Sequence, residues 1–399
     1  MPDMHCVQVD ADALRSAFLL MDEGKDPHSL FFLLRLGADV DGIASQGPTF
    51  VLMMASKKGN LGAMRQLLRF GASVNMKDPE VQEGRNALMG AVEMNQKEAA
   101  VLLIGEGADV NWCSEDGKTP LILAASAGHK DLMELLLDSG ADKNLADACG
   151  RDRTLLIIAA DMRRTDVAEF FLSKGVDVNA RDRKSLTPLM VASDKGFVEI
   201  VELLLNRRAD LHAKTPDGRT AFMLAVSSRR TEVVSLLIAR GANIHEMDKM
   251  RRTALYLAIE ANQAEIVKIL IDNGADVNAP SGFASSAPPL VHAATKGMAG
   301  AAEFLVKAGA DINATDRDHR TALMLAVWYR HVDVVEALIS LGARADLRDR
   351  DGKTALAIAE EAGHLDIVEF FQARGLAQKR LVGICFDHKK GVQGITKEN

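Results

Sequence analysis

The residues able to hold a metal or activate a nucleophile are few and scattered in this 399-residue chain. Its four cysteines, Cys6, Cys113, Cys149 and Cys385, match no Cys-x-x-Cys metal spacing. Cys113 and Cys149 stand one internal period apart, too far for a disulfide in stacked units, so all four read as reduced thiols. His129 and His364 follow a glycine, and His212 and His245 end a five-residue turn word, so each reads as a turn residue rather than a base or ligand. No glycine-rich phosphate loop, His-Glu-x-x-His pair or Gly-x-Ser-x-Gly elbow is present, and the carboxylates recur along the chain without forming a dyad. The chemistry on offer is therefore recognition rather than turnover. No cofactor, metal or catalytic residue is expected, and an enzyme with an unrecognised site is the weakest reading.

Two features could carry recognition. Trp328 and Tyr329 stand side by side and supply two of the chain's four Trp and Tyr residues. Large amphipathic rings at an exposed position are the material of binding hot spots; folding of Trp328 onto its own unit is the competing reading. The second feature is a basic column that recurs just before a Thr or Asn: Arg85, Lys118, Arg153, Arg219, Arg252, Arg320 and Lys353. Residues 150–252 hold 19 basic and 14 acidic side chains, whereas residues 1–110 hold 10 and 15, within a total of −7. With Lys195, the column would steer an acidic partner segment more than it would add affinity; a merely solvated edge is the alternative. The overall negative charge and 5% aromatic content argue against nucleic acid.

What must position these residues is a repeat. Gly37-Ala-Asp-Val-Asp41 returns as Gly71-Ala-Ser-Val-Asn75, Gly107-Ala-Asp-Val-Asn111, Gly140-Ala-Asp-Lys-Asn144 and Gly175-Val-Asp-Val-Asn179, with five further copies to Gly342. The steps are 34, 36, 33, 35, 33, 33, 33, 35 and 33 residues, so the chain is an array of stacked units rather than one globular core. In the clearest unit Thr119 is placed to cap a helix that starts at Pro120, where a missing N–H costs nothing. Leu121, Ala124 and Ala125 then share a face, and Gly128 breaks the helix in a left-handed turn. A second helix turns Leu132, Met133, Leu135 and Leu136 inward, and after Gly140 the side chains of Asp142 or Asn144 can close the turn.

This unit resembles the ankyrin repeat. The words Thr119-Pro-Leu, Thr187-Pro-Leu, Thr220-Ala-Phe, Thr253-Ala-Leu, Thr321-Ala-Leu and Thr354-Ala-Leu carry the resemblance over roughly residues 12–373, about eleven units. It implies an all-α solenoid of helix-turn-helix units joined by β-hairpin loops, elongated and curved. A degenerate cap is expected over 1–45, the solenoid over 46–375 and an unassigned basic tail over 376–399. The resemblance further implies a non-catalytic scaffold that binds a protein partner in a concave groove of hairpin tips and first-helix ends. Small or polar residues dominate the helix-end pairs there, as in Ser126-Ala127 and Ser227-Ser228, until Trp328-Tyr329. The expected partner-binding set is thus Trp328, Tyr329, Arg153, Lys195, Arg219, Arg252 and Arg320.

Departures from the family pattern stand out. Its usual histidine after Thr-Pro-Leu is replaced by Ile122, Met190, Met223, Tyr256, Met324 and Ala357, and Arg163, Arg229 and Arg330 stand where the inter-helix glycine belongs. Enlarged hairpins at Lys77–Gly84 and Ala279–Pro289 are either ligand contacts or harmless insertions. A targeting or inhibitory subunit of an enzyme system, including a bacterial effector in a host cell, is the second function reading. The N-terminus carries no secretory pattern and no stretch is apolar enough to span a bilayer, so a cytoplasmic monomer is expected.

Overall fold

In the computed structural model the structure describes residues 51–76, 84–147, 152–280 and 287–376, with Ser16, Phe31, Leu33 and Arg35. The expected N-terminal cap, most of both enlarged hairpins, three of the four cysteines and all but the first residue of the tail lie outside these residues.

The described residues form twenty helices in ten antiparallel pairs. The first seven pairs are α1 Val51–Lys58 and α2 Leu61–Arg69, α3 Ala87–Glu93 and α4 Lys97–Gly105, α5 Pro120–Ala127 and α6 Lys130–Asp138, α7 Leu155–Asp161 and α8 Thr165–Ser173, α9 Pro188–Lys195 and α10 Val198–Asn206, α11 Ala221–Ser227 and α12 Thr231–Ala239, and α13 Ala254–Glu260 and α14 Ala264–Asp272. They belong to a compact unit ending at Asp276. A second unit from Val277 holds α15 Pro289–Thr295 and α16 Ala299–Lys307, α17 Ala322–Trp328 and α18 Val332–Ser340, and α19 Ala355–Ala362 and α20 Leu365–Ala373. The molecule is an all-α repeat solenoid.

Local backbone chemistry explains each pair. Thr119, Thr154, Thr187, Thr220, Thr253, Thr321 and Thr354 each accept the N3 backbone N–H of the helix they precede. That bond satisfies one of the donors every helix start leaves open. Gly128, Gly196 and Gly363 end α5, α9 and α19 at φ of 79°, 84° and 73°, a left-handed conformation that glycine adopts without steric cost.

The methionines that replace histidine have a structural use. Met190 and Met324 are buried, and each Sδ lies 3.5 Å from the backbone nitrogen of the capping threonine, Thr187 and Thr321. The thioether thus accepts the weak return bond of a capping box from inside the core.

Burial differs from the sequence expectation in two places. Pro120 through Ala125 are all buried, not one face alone, because α5 packs against its own partner α6 and against the first helices α3 and α7. Leu135 is half-buried while Leu132, Met133 and Leu136 are buried; second helices touch their neighbours more sparsely and keep an outer face. The connecting hairpins also carry no β-ladder among the described residues, only isolated bridges such as Met247 to Thr253. Such a turn is closed by two short-range backbone bonds, as from Thr215 N to Arg219 O at 2.9 Å and from Gly218 N back to Thr215 O at 2.8 Å, and is too short to continue a ladder.

Asparagine stitches one unit to the next. Asn111 Nδ2 donates to Gly140 O at 3.3 Å, and Asn111 Oδ1 accepts from Asp142 N at 2.8 Å. Asn75 does the same to Gly107 and Asp109, and Asn278 to Gly309 and Asp311. Within each turn the preceding acid closes the loop on itself, as Asp142 Oδ1 accepts from Asn144 N. The recurring word is therefore an interface device as well as a turn.

Candidate interaction surface

The exposed aromatic pair sits where a helix ends. Trp328 is the last residue of α17 and Tyr329 its C-cap, and both side chains stay outside the core, at 56% and 52% exposure. Trp328 does not fold back onto its repeat. The backbone around the pair is held from both sides: His331 Nε2 lies 3.2 Å from Thr295 O, and His364 Nε2 lies 3.5 Å from Trp328 O. The Tyr329 ring stacks on the His331 ring, 6.2 Å between centroids and 22° between planes. Leu365, next to His364, is 72% exposed and lies on the same edge of the second unit. The arrangement offers fixed apolar surface at a turn, which an incoming chain would desolvate.

The basic column is not a row of free charges: Arg153, Arg219, Arg252 and Arg320 are each paired with carboxylates of their own chain. Arg252 donates from Nε to Asp248 Oδ2 at 2.8 Å and pairs again through Nη2 at 2.7 Å, while Asp248 is buried. Arg219 Nε lies 3.1 Å from Asp217 and 3.8 Å from the same Asp248. Arg320 repeats the pattern on Asp316 and Asp318 at 2.8 and 3.0 Å. Arg153 bridges Asp147, also buried, and Asp161 at 2.8 and 3.2 Å, and Lys195 reaches Asp161 at 3.3 Å. Arg85, Lys118 and Lys353 are likewise paired, with Glu93, Asp116 and Glu361. A buried carboxylate needs a partner in its own fold, so Arg153 and Arg252 first hold their hairpins through Asp147 and Asp248, whereas Glu93, Asp161 and Glu361 are partly exposed partners. Arg153, Lys195, Arg219 and Arg252 lie in the first unit, and Arg320 with Trp328 and Tyr329 in the second.

Electrostatics follow the same logic. Burial pushes the Asp116 carboxyl up, but hydrogen bonds from Lys118 and Ser114 and the charges of Lys118 and Arg85 outweigh it, so its pKa falls below the ordinary 3.8. Among the described residues no group of His, Cys, Asp and Glu is placed to hold a metal ion. No helix among them is long and apolar enough to cross a membrane.

A second set of contacts joins the inter-helix turns. Arg163, Arg229 and Arg330 take φ of 55°, 61° and 57°, a conformation non-glycine residues avoid. Each reaches forward one repeat: Arg163 lies over the Phe197 ring at 5.7 Å, Arg229 Nη2 donates to Ala261 O at 2.8 Å, and Arg330 lies 3.3 Å from Asp366 Oδ2. The residue after the turn reaches backward instead. Arg164 Nη2 donates to Ala127 O at 3.1 Å and Arg230 Nε to Asp194 O at 2.9 Å. Their side chains lie so close over Gly128 and Gly196 that an added Cβ would come within 2.9 and 2.7 Å of them. Sequence reasoning left these arginines without a role; the signal was their recurrence at one register of the repeat.

Comparison with known proteins supports the repeat assignment. The family model for ankyrin repeats, three copies in length, matches residues 20–112, 52–147, 98–182, 146–215, 189–281 and 287–379. No curated protein matches the chain. The chain belongs to the ankyrin repeat family, whose repeats are in general modules of protein–protein interaction and typically non-catalytic.

Proposed function

We propose that this protein is a non-catalytic scaffold that captures a protein partner, with Trp328 and Tyr329 as the anchors. The observation that carries this reading is their half-exposed state on a turn that His331 and His364 hold in place. An anchor fixed before binding loses little freedom on association, so more of its burial becomes affinity. Burying a Trp or Tyr in a desolvated pocket contributes about 2 kcal/mol or more at a hot spot. In this reading Arg153, Lys195, Arg219, Arg252 and Arg320 contribute orientation toward an acidic segment, since their charges are already shared with carboxylates of their own chain.

The test is affinity capture from a native lysate with the parent chain and with Trp328→Ala combined with Tyr329→Ala. The partner is expected to be lost from the variant, while its thermal unfolding stays near the parent's because neither ring is in the core. Recovery of the same partners in the same yield would remove this site from the proposal.

A further inference from the structure

The fifth residue of each second helix lies outside the core, and there the repeat is strongly patterned. Glutamate fills that register in α6, α8, α10, α16, α18 and α20, at Glu134, Glu169, Glu202, Glu303, Glu336 and Glu369. α4 departs from it with Val101, the one apolar residue at this register among the described second helices, and its side chain is 49% exposed. Beside it runs a groove of about 370 Å³ between α2 and α4, lined by Leu61, Arg65, Lys97, Glu98, Val101 and Leu102. Both helices belong to the first unit. Leu61 and Leu102 are half-buried and give the groove an apolar floor, with Met64, Leu67 and Leu103 fully buried behind it.

Charge sets the same place apart. α6, α8, α10, α18 and α20 each carry two more acids than bases, so their outer sides repel an acidic partner. α2 carries Arg65 and Arg69 and no acid, and α4 balances Lys97 against Glu98. Lys97 is shared with Asp131 at 3.6 Å, a pair between exposed groups that contributes little. Arg65 is exposed and pairs with no carboxylate among the described residues. The groove is thus an apolar strip with an unpaired cation on its wall, where the acidic outer side is interrupted. Backbone hydrogen bonding sets the shape of an occupant. The walls are helices whose own N–H and C=O groups are satisfied internally, so an extended chain laid on Leu61 and Val101 would find no partners for its amides. A helix brings its backbone bonds with it, and an apolar stripe of helical spacing fits a groove between helices.

We propose that the α2–α4 groove docks an amphipathic helix of a partner protein, its apolar stripe on Leu61, Val101 and Leu102 and a carboxylate opposite Arg65. This is a second interaction surface, and it stands whether or not Trp328 and Tyr329 anchor a partner. Exclusion sets the docking position as much as attraction does. The same helix moved toward α6 would lose Val101 and meet Asp131 and Glu134.

The groove can be closed by making it match the other units. Val101→Glu installs the residue that α6, α8 and α10 carry, and Arg65→Glu does the same for α2, so both variants should keep the fold. A displayed library of helix-forming peptides is selected on the full chain and counter-selected on the double variant, and the best binder is measured by fluorescence anisotropy. Recovered sequences are expected to place apolar residues at i, i+3, i+4 and i+7 and to carry net negative charge. Val101→Glu should weaken that peptide at least about tenfold, the order of burying one valine. Arg65→Glu should weaken it several-fold, a loss that fades at high salt. Trp328→Ala should leave its affinity unchanged, which separates this site from the aromatic one. The proposal is overturned if no peptide is recovered that the double variant rejects, if the recovered peptides are basic or lack helical periodicity, or if Val101→Glu binds like the parent. So does a marked fall in the thermal unfolding temperature of Val101→Glu overturn it, since the chain itself would then cover the groove. A dimer in sedimentation that this variant breaks does the same, because the occupant would be a second copy.

Discussion

Arg229 tests whether an arginine in the glycine position offsets its strain. Its backbone sits at φ 61°, and holding an L-residue there costs roughly 1–2 kcal/mol. Against this, Nη2 donates to Ala261 O at 2.8 Å in the next repeat, a bond of about 1 kcal/mol net. The two terms nearly cancel, and separate substitutions pull them apart. Arg229→Ala keeps the strained backbone and loses the bond, so stability should fall by about 1 kcal/mol. Arg229→Gly loses the bond and relieves the strain, so it should remain within about 0.5 kcal/mol of the parent. Urea unfolding followed by far-ultraviolet circular dichroism reads both, with an unchanged m-value showing that the exposed surface is the same. If the alanine variant matches the parent, the forward bond contributes nothing. A glycine variant more stable than the parent by well over 1 kcal/mol would mean the same, and arginine would then be a tolerated defect.

Two further predictions probe the stack. Asn111→Ala removes both stitches between neighbouring turns, at Gly140 O and Asp142 N, and should cost about 1–2 kcal/mol because those groups are exposed and regain water; amide exchange should quicken first in the units on either side, and uniform exchange along the first unit would contradict nearest-neighbour coupling. Asp116 has a lowered pKa, so its contribution is present above the ordinary 3.8 and is lost as pH falls through its folded value; the stability gap between the parent and Asp116→Asn, seen at pH 7, should close in acid, and a gap independent of pH would assign the effect to shape instead of charge.

The legible part of this protein is the part governed by local backbone chemistry. Thr119, Pro120 and Gly128 each act through a rule that spans three or four residues, so reading them in order amounts to reading the helix. Trp328 and Tyr329 were legible for a related reason: their place in the repeat put them at a helix end, and the end is where the structure leaves them exposed. The pairing of the basic column was harder to read, because its charges repeat more plainly than their partners do. Yet Asp248 and Asp316 stand four residues before Arg252 and Arg320, the span of the closing turn, so a pairing signal was present in the chain. The arginines at the inter-helix turns could not be read this way. Their partners lie 32 to 36 residues on, at Ala261, Phe197 and Asp366, and only stacking brings those within reach. The same distinction locates function. A cation paired inside its own hairpin is already part of the fold, whereas one held by a carbonyl keeps its charge for something outside it. Arg229 and Arg230 are in the second state and Arg252 in the first, so a partner's acidic group should sense the turns before it senses the hairpin column.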